Sequence, residues 1–409
     1  MKKNDFKVVI LGTDINAYYM SRNFHEEYGI KAHLIGKTAM NFTSMSNILT
    51  YELYEDLWDK KTFLKALNKY GEENKKSKIV LIGSNDTYVR LIVENRKELE
   101  KYYTFNYPSL KIINNLLIKD NFYKFVKDYD IDIPNTYIYK CNNDKLDLKE
   151  LKKLNFPIIL KPGDGVKYHE HEFPNQAKVY KLNTNEEIKE IVKKIEESGY
   201  DDNLIMQEFI PGDDSMLFDS IFYVGKDKKA KLMSFAQIGL QEHTPTGIGN
   251  CTVLVNGYNE FDNTDIIKDR LIKFLEDIGY QGFAEFDLKY DVRDNKFKIF
   301  EINPRQARSS YYLTACGYNL AKYLVDDIIY NKEIKFKFIK EKMVLSFVPK
   351  SVIRKYVENN KLKEEINELI KQHKFVRPLN YKGDRHLKRK LWLFMRDINY
   401  NKKYKNNKW

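Results

Sequence analysis

The sequence predicts two unlike folded parts: a parallel, doubly wound α/β unit, then an α+β unit built on antiparallel sheet. Three observations carry this. Up to about Leu99, short β-branched runs alternate with stretches of helical periodicity. Beyond Pro134 the strand-like runs crowd together between turn residues, with few helices among them. The chain has 409 residues, 43% hydrophobic and 14% aromatic, with only 10 Pro, so it has the length for more than one domain and the apolar content to fold them.

In the first unit, placed at 1–114, residues 8–11, 32–35 and 79–82 read as strands. Helical periodicity runs from 8–11 to Tyr28, through 63–70 and across 87–99. Together they make a Rossmann-like unit. Gly36-Lys37-Thr38 mimics the end of a phosphate loop, but that loop needs glycine where Lys31 stands. Gly12 follows the first strand without the companion glycines of a dinucleotide fingerprint, since Asp14 and Ala17 hold those places. A nicotinamide cofactor is therefore not expected.

A helix over 115–129 opens the second unit, placed at 115–335. Strands are expected at 156–161, 179–182, 203–210, 215–224, 231–240, 252–255, 281–290 and 296–302, and helices at 185–198 and 265–278. Residues 336–409 read as a basic C-terminal extension. No internal repeat is visible.

Charge and cysteines narrow the function classes. The formal charge is +12, and residues 374–409 alone carry 12 Lys or Arg against two Asp. The rest of the chain is close to neutral, which argues against a nucleic-acid groove across the folded body. Cys141, Cys251 and Cys316 lie far apart without metal-ligand spacing and read as buried thiols. The N-terminal apolar run is too short for a signal segment, and no stretch approaches the roughly 20 apolar residues of a membrane span. A cytoplasmic protein is expected.

The segment GFAEFDLKYD at 282–291, a polar turn and KIFEINPR at 298–305 read as a hairpin. Alternation puts Glu285 and Asp287 on one face of their strand, and Glu301 and Asn303 on one face of theirs. Hard oxygen donors without Cys or His nearby favour Mg²⁺ or Mn²⁺; an exposed polar strand edge is the plain alternative. The strand ending in Lys161 runs into Pro-Gly-Asp-Gly, where freed amides and a lysine can hold phosphate. The segment LIMQEFIPGDD at 204–214 leads an apolar strand into an acidic turn. Its backbone can face an adenine and its carboxylate a ribose, although a hairpin turn alone would look similar.

In this order the pieces resemble the ATP-grasp superfamily of carboxylate-amine ligases. The resemblance implies ATP held by Lys119, Lys161, the hinge residues Gln207, Glu208, Phe209 and Ile210, and the ribose acid Asp214. It implies Mg²⁺ or Mn²⁺ held by Asp287, Glu301 and Asn303, with Arg305 beside the transferred phosphate. Within the superfamily the chain is most similar to D-aspartate ligases of peptidoglycan cross-bridges. That likeness rests on LGTDINA at 11–17, FIPGDDS at 209–215, the segment at 282–291 and EINPRQARSS at 301–310. It implies an acyl phosphate attacked by an amine, with Arg305 and Arg308 catalytic; Ser309 and Ser310 read by residue type as caps of the next helix. The donor is then a small amino acid, D-aspartate, held by Arg308 with Asp14, Asn16 and Asn85. The amine acceptor is a peptidoglycan precursor, lipid-linked or not.

Two departures stand out. The loop after Lys161 runs on into His169-Glu-His171, histidines that read as lid surface. Glu285 stands where some relatives carry arginine, so it binds metal or substrate. The glycine-rich loop 242–249, with His243, shapes the acceptor pocket or merely joins two strands. Leu387, Leu391, Phe394, Met395 and Ile398 form an apolar stripe if the tail is helical, with Arg389 and Arg396 opposite and Lys388 and Lys390 flanking. The tail then touches an anionic membrane at its inner face, or packs its stripe on the body. Two other readings remain: a ligase making a soluble dipeptide, or a non-catalytic protein binding nucleic acid through its tail.

Overall fold

The computed structural model describes residues 5–143, 145–164, 167–168, 170–244, 247, 249–261 and 263–407. The first unit is a parallel sheet of β1 (Phe6–Leu11), β2 (Ala32–Gly36), β3 (Leu49–Leu53), β4 (Lys78–Gly83) and β5 (Tyr103–Thr104), in the order β3-β2-β1-β4-β5. β1 and β4 are apolar on both faces because helices cover both. Strand order reverses between β1 and β4. At their C-terminal ends Asp14 caps helix Ile15–Tyr28 and Asn85 caps helix Asp86–Glu94, which opens a crevice there.

Helices Leu110–Leu117 and Lys119–Phe125 bridge to the second unit. A single helix was expected at 115–129, but Ile118 has extended backbone and breaks it, making Lys119 the first residue of a new helix. In the same way 87–99 divides at Asn95 into Asp86–Glu94 and Arg96–Leu99.

Next comes a small antiparallel sheet of β6 (Thr136–Lys140), β7 (Ile158–Pro162), β8 (Tyr180–Leu182) and β9 (Asn203–Glu208), ordered β6-β9-β7-β8. Helix Asn185–Glu197 packs Ile188, Val192 and Ile195 onto it. The large sheet holds β10 (Leu217–Val224), β11 (Ala230–Met233), β12 (Ala236–Gln241), β13 (Cys251–Asn256), β14 (Gly282–Asp291), β15 (Lys296–Asn303), β16 (Lys337–Phe338), β17 (Met343–Ser346) and β18 (Phe375–Val376). Its path is β15-β14-β10-β12-β13-β17-β18, with β11 on β10 and β16 on β11. The single strand expected at 231–240 is two, both paired with β10. Between them Ser234 turns its hydroxyl to the Tyr312 hydroxyl (2.6 Å).

Residues 336–407 are built into this body. β17 extends the large sheet, and helices Lys350–Tyr356, Asn360–Lys371 and Leu387–Asn406 share a core with β12 and β13. Asp384 accepts hydrogen bonds from Tyr18 (3.2 Å), Ser46 (2.8 Å) and the Asn47 amide (3.0 Å), tying this segment to the first unit. Cys141 and Cys251 are buried free thiols; Cys316, expected to match them, is half-buried at the end of a short helix.

Candidate active site

The site starts from strand register. Glu285 of β14 pairs with Asn303 of β15, and Asp287 with Glu301. On the other side of β14, Asp219 of β10 stands opposite Asp287. Alternation therefore sets Asp219, Asp287 and Glu301 side by side across three strands, with Glu285 and Asn303 two residues along. The Asn303 amide donates to Asp287 (3.3 Å).

Burial pushes the Asp219 and Asp287 carboxyls well up, and neighbouring carboxylates push them further. Glu285 is raised by burial, against the pull of Arg305. Glu301 behaves oppositely: burial raises it, but Lys119 and Lys161 more than offset this and hold it down. The crowd of acids thus has its two lysines at the Glu301 end and Arg305 at the Glu285 end. Burial and the Lys161 charge depress Lys119 to about 8, and burial lowers Lys161. Lys119 Nζ donates to the Pro162 carbonyl (3.1 Å), and Lys161 Nζ to the Tyr123 hydroxyl (3.3 Å).

Arg305 joins the two units. Its Nε donates to Asp86 (3.0 Å) of the first unit and its Nη1 to Glu285 (3.0 Å). Arg308 lies 4.6 Å over the Phe347 ring, and its buried Nε has no hydrogen-bond partner among the described residues. Lys119, Glu285, Asp287, Glu301, Asn303 and Arg305 all line one cleft of about 870 Å³. Arg308, Asp14, Asn16 and Asp86 line it too, so the first unit supplies one wall.

Of the residues expected to hold the amino acid, Asp14 accepts from the Ala17 amide (3.0 Å) and Ser84 hydroxyl (2.9 Å), and Asn16 donates to the Ser84 carbonyl (2.9 Å). The Asn16 side-chain oxygen is buried without a hydrogen-bond partner among the described residues. Asn85 does not line the cleft. Its side chain accepts from the Tyr88 amide (3.1 Å) as a helix cap, and the next residue, Asp86, reaches the cleft instead.

Of the residues expected at the hinge, Phe209 lines a second cavity of about 320 Å³, with Asp214, Lys181 and Tyr356. Phe209 has Lys181 4.0 Å from its ring centroid and Lys289 5.0 Å from it. Asp214 accepts from the Gln241 amide (2.8 Å) and side chain (2.7 Å), with His243 at 3.3 Å; these contacts more than offset burial and hold its carboxyl down. The Gln207 side chain donates to Thr136 (2.9 Å) and Ile210 is buried. Glu208 turns aside to Asn135 (2.6 Å) and Arg293 (3.3 Å), and lines neither cavity.

Other expectations need correction. Ser309 donates to Asp219 and Ser310 to the Ala307 carbonyl (2.8 Å), so neither side chain caps helix Tyr311–Ala315. The reason is local: Ser310 already has helical backbone, whereas a capping residue is extended. His171 is not free lid surface but meets the Ser198 carbonyl (3.1 Å) and the Tyr200 ring. His169 lies outside the described residues, as do Gly165 and part of loop 242–249, whose Gly249 lines the main cleft.

The sequence reading passed over Asp219, Asp86 and Lys289. A lone acid in the apolar run 217–224 was a visible mark for Asp219, but its partner strand was not. Lys289 donates to the Gly212 carbonyl (3.0 Å), and burial depresses it to about 8.

Among the described residues no three His, Cys, Asp or Glu converge as a preformed cation cage. Carboxylate and amide oxygens at Asp287, Glu301 and Asn303 nevertheless suit magnesium, which keeps waters and borrows phosphate oxygens rather than needing a full protein cage. The Asp287 carboxyl, raised by burial and by neighbouring carboxylates, marks a place that lacks positive charge.

No family model matches the chain. A D-aspartate ligase of Enterococcus faecium is 33% identical over 413 residues, covering 98% of this chain and 96% of that protein. The chain belongs to the D-aspartate ligase family. Among solved structures, N5-carboxyaminoimidazole synthetase of Staphylococcus aureus, solved with ADP, superposes with a TM-score of 0.64 at 15% identity, over 88% of this chain and 87% of that one. L-amino acid ligase of Bacillus licheniformis gives a TM-score of 0.58 at 15% identity, over 80% of this chain and 75% of that one. The fold is ATP-grasp. Family and fold together make this member of the D-aspartate ligases an ATP-grasp carboxylate-amine ligase. No helix among its described residues is long and apolar enough to cross a membrane.

Proposed function

We propose that the protein uses ATP to activate a carboxylate of D-aspartate as an acyl phosphate and joins it to an amine of a peptidoglycan precursor. One observation carries this reading: carboxylates from three adjacent strands meet two buried lysines and an arginine that reaches across to the first unit.

A carboxylate in water is a poor electrophile, and oxide is a poor leaving group. In the proposed reaction the donor carboxylate oxygen attacks the γ-phosphorus and ADP leaves. Lys119 and Lys161 offset the phosphate charge in a buried setting, where that charge is felt strongly. Asp287, Glu301 and Asn303 would hold Mg²⁺, which neutralises phosphate oxygens when bound. The amine, after losing a proton, attacks the acyl carbon, and phosphate departs with the oxygen that began in the carboxylate. Arg305, fixed between Asp86 and Glu285, stabilises the departing phosphate, and Arg308 offers a donor with no competing bond to the tetrahedral oxyanion. Asp14 and the unpartnered Asn16 side-chain oxygen, both acceptors, bind the ammonium of the donor at the crevice of the parallel sheet. On the other side of the hinge, Asp214 binds the ribose.

The acceptor amine belongs to a soluble or lipid-linked precursor, and direct comparison of the two decides between them. The test of the activation step is trapping. With ATP, Mg²⁺ and D-aspartate but no acceptor, hydroxylamine should yield aspartyl hydroxamate. Absence of hydroxamate, with ligation intact, would rule out a free acyl phosphate.

A further inference from the structure

The C-terminal helix Leu387–Asn406 is docked with its faces reversed relative to an ordinary surface helix. Such a helix buries its apolar stripe and leaves its charges in water. Here Arg389 is 1% exposed, donating to the Phe42 carbonyl, pairing with Asp384 (3.3 Å) and lying 3.9 Å over the Tyr18 ring. One turn on and more, Arg396 donates to the Phe347 carbonyl (3.0 Å), and Tyr400 and Tyr404 are buried. These residues form one face and fix the helix to the body.

At about 100° per residue, Leu387, Leu391, Phe394, Met395 and Ile398 lie on the opposite face. Leu387 is 78% exposed, Leu391 62% and Phe394 64%. Among the described residues, five of the fifteen exposed large apolar side chains stand on this one stripe, so the patch is not scattered surface. The surrounding charge has one sign. Lys388 and Lys390 flank the stripe, Lys402 and Lys405 continue it, and Lys382 and Arg385 precede it, all exposed. The acids nearby are consumed inward, Asp384 by Arg389 and Asp397 by Arg377 (2.5 Å).

We propose that this helix is a membrane-docking element, laying its apolar stripe into an anionic lipid surface while the lysines meet headgroups. A long apolar stripe edged by lysine is the pattern of an interfacial helix. A second copy of this chain is disfavoured as the occupant because it would bring the same positive rim against itself. The buried arginine face keeps the stripe turned outward, so docking requires no rearrangement of the ligase. This inference does not depend on the reaction proposed above.

The test is flotation of the full-length protein with vesicles of phosphatidylglycerol and phosphatidylcholine, against phosphatidylcholine alone. Binding is expected to the anionic vesicles only, and raising the salt should release it as screening shortens the reach of the lysines. The combined change Leu391→Ser, Phe394→Ser and Met395→Ser should weaken binding by more than about a hundredfold, since it removes three large apolar contacts. The pair Lys388→Glu and Lys390→Glu should weaken it roughly tenfold or more. Because all five positions are exposed, circular dichroism and thermal unfolding should match the parent. Failure of the parent to float, or equal flotation of the serine variant, overturns the proposal. So does self-association or RNA binding that these changes abolish in a protein that never floats.

Discussion

Replacing Asp287 with Asn separates the site's chemistry from its stability. The side chain keeps its size and loses one negative charge from a position beside Asp219, Glu285 and Glu301. Loss of an ionic oxygen donor for the phosphate-bridging cation should cost about 3–4 kcal/mol of transition-state stabilisation, a fall of roughly a hundredfold to a thousandfold in rate. The ligand-free fold should respond in the opposite direction. Asp219, Glu285 and Asp287 all titrate above their ordinary values of 3.8, 4.5 and 3.8, so each binds a proton more readily folded than unfolded. Their contribution is complete below those ordinary values and is lost as pH rises through the raised ones. At neutral pH the folded protein therefore carries a penalty, which Asp287→Asn partly removes. Single-turnover phosphoryl transfer with saturating Mg²⁺ and thermal unfolding of the free protein read the two effects. A slow variant that unfolds no earlier than the parent supports the site; near-parent turnover, or a melting point several degrees lower, refutes the reasoning.

Other outcomes follow from the same geometry. ATP phosphates should favour charged Lys119, which titrates near about 8 in the free protein, so ATP affinity should fall as pH rises through that value and binding there should take up protons, read by calorimetry in buffers of different ionisation heat. Asp214→Asn should raise the KM for ATP about tenfold with a smaller effect on kcat, because it loses a charged hydrogen-bond acceptor remote from the transferred phosphate. Arg305→Lys should lower kcat by roughly a hundredfold, since a lysine does not reproduce the fork holding Asp86 and Glu285. Arg389→Met should cost about 3 kcal/mol of stability, because Asp384 keeps its neutral donors and loses its buried cation, while ligation of soluble acceptors persists at temperatures where the variant is folded.

What the sequence revealed depended on how local each cause was. Strict alternation made Glu285, Asp287, Glu301 and Asn303 legible as one patch, and register then delivered them as facing pairs. Asp219 needed knowledge that β10 borders β14, a pairing across more than sixty residues that periodicity does not carry. Asn85 was chosen over Asp86 because both are polar at a strand end, and only the capping geometry says which one is consumed. β3 was missed because its outer residues are exposed and interrupt the apolar run. The stripe on the last helix was legible from spacing, but its direction was not. The contacts of Arg389 with Phe42, Tyr18 and Asp384 decide that, and all three partners are distant or outside the helix.

The central claim is that a D-aspartate carboxylate is phosphorylated before the amine attacks. It is tested most directly by supplying D-aspartate whose carboxylates carry a heavy oxygen isotope, with ATP, Mg²⁺ and a peptidoglycan precursor, and weighing both products. The account predicts that each turnover leaves one heavy oxygen in the released phosphate and adds one aspartyl residue to the precursor. Heavy oxygen absent from the phosphate while the aspartyl product accumulates would contradict it.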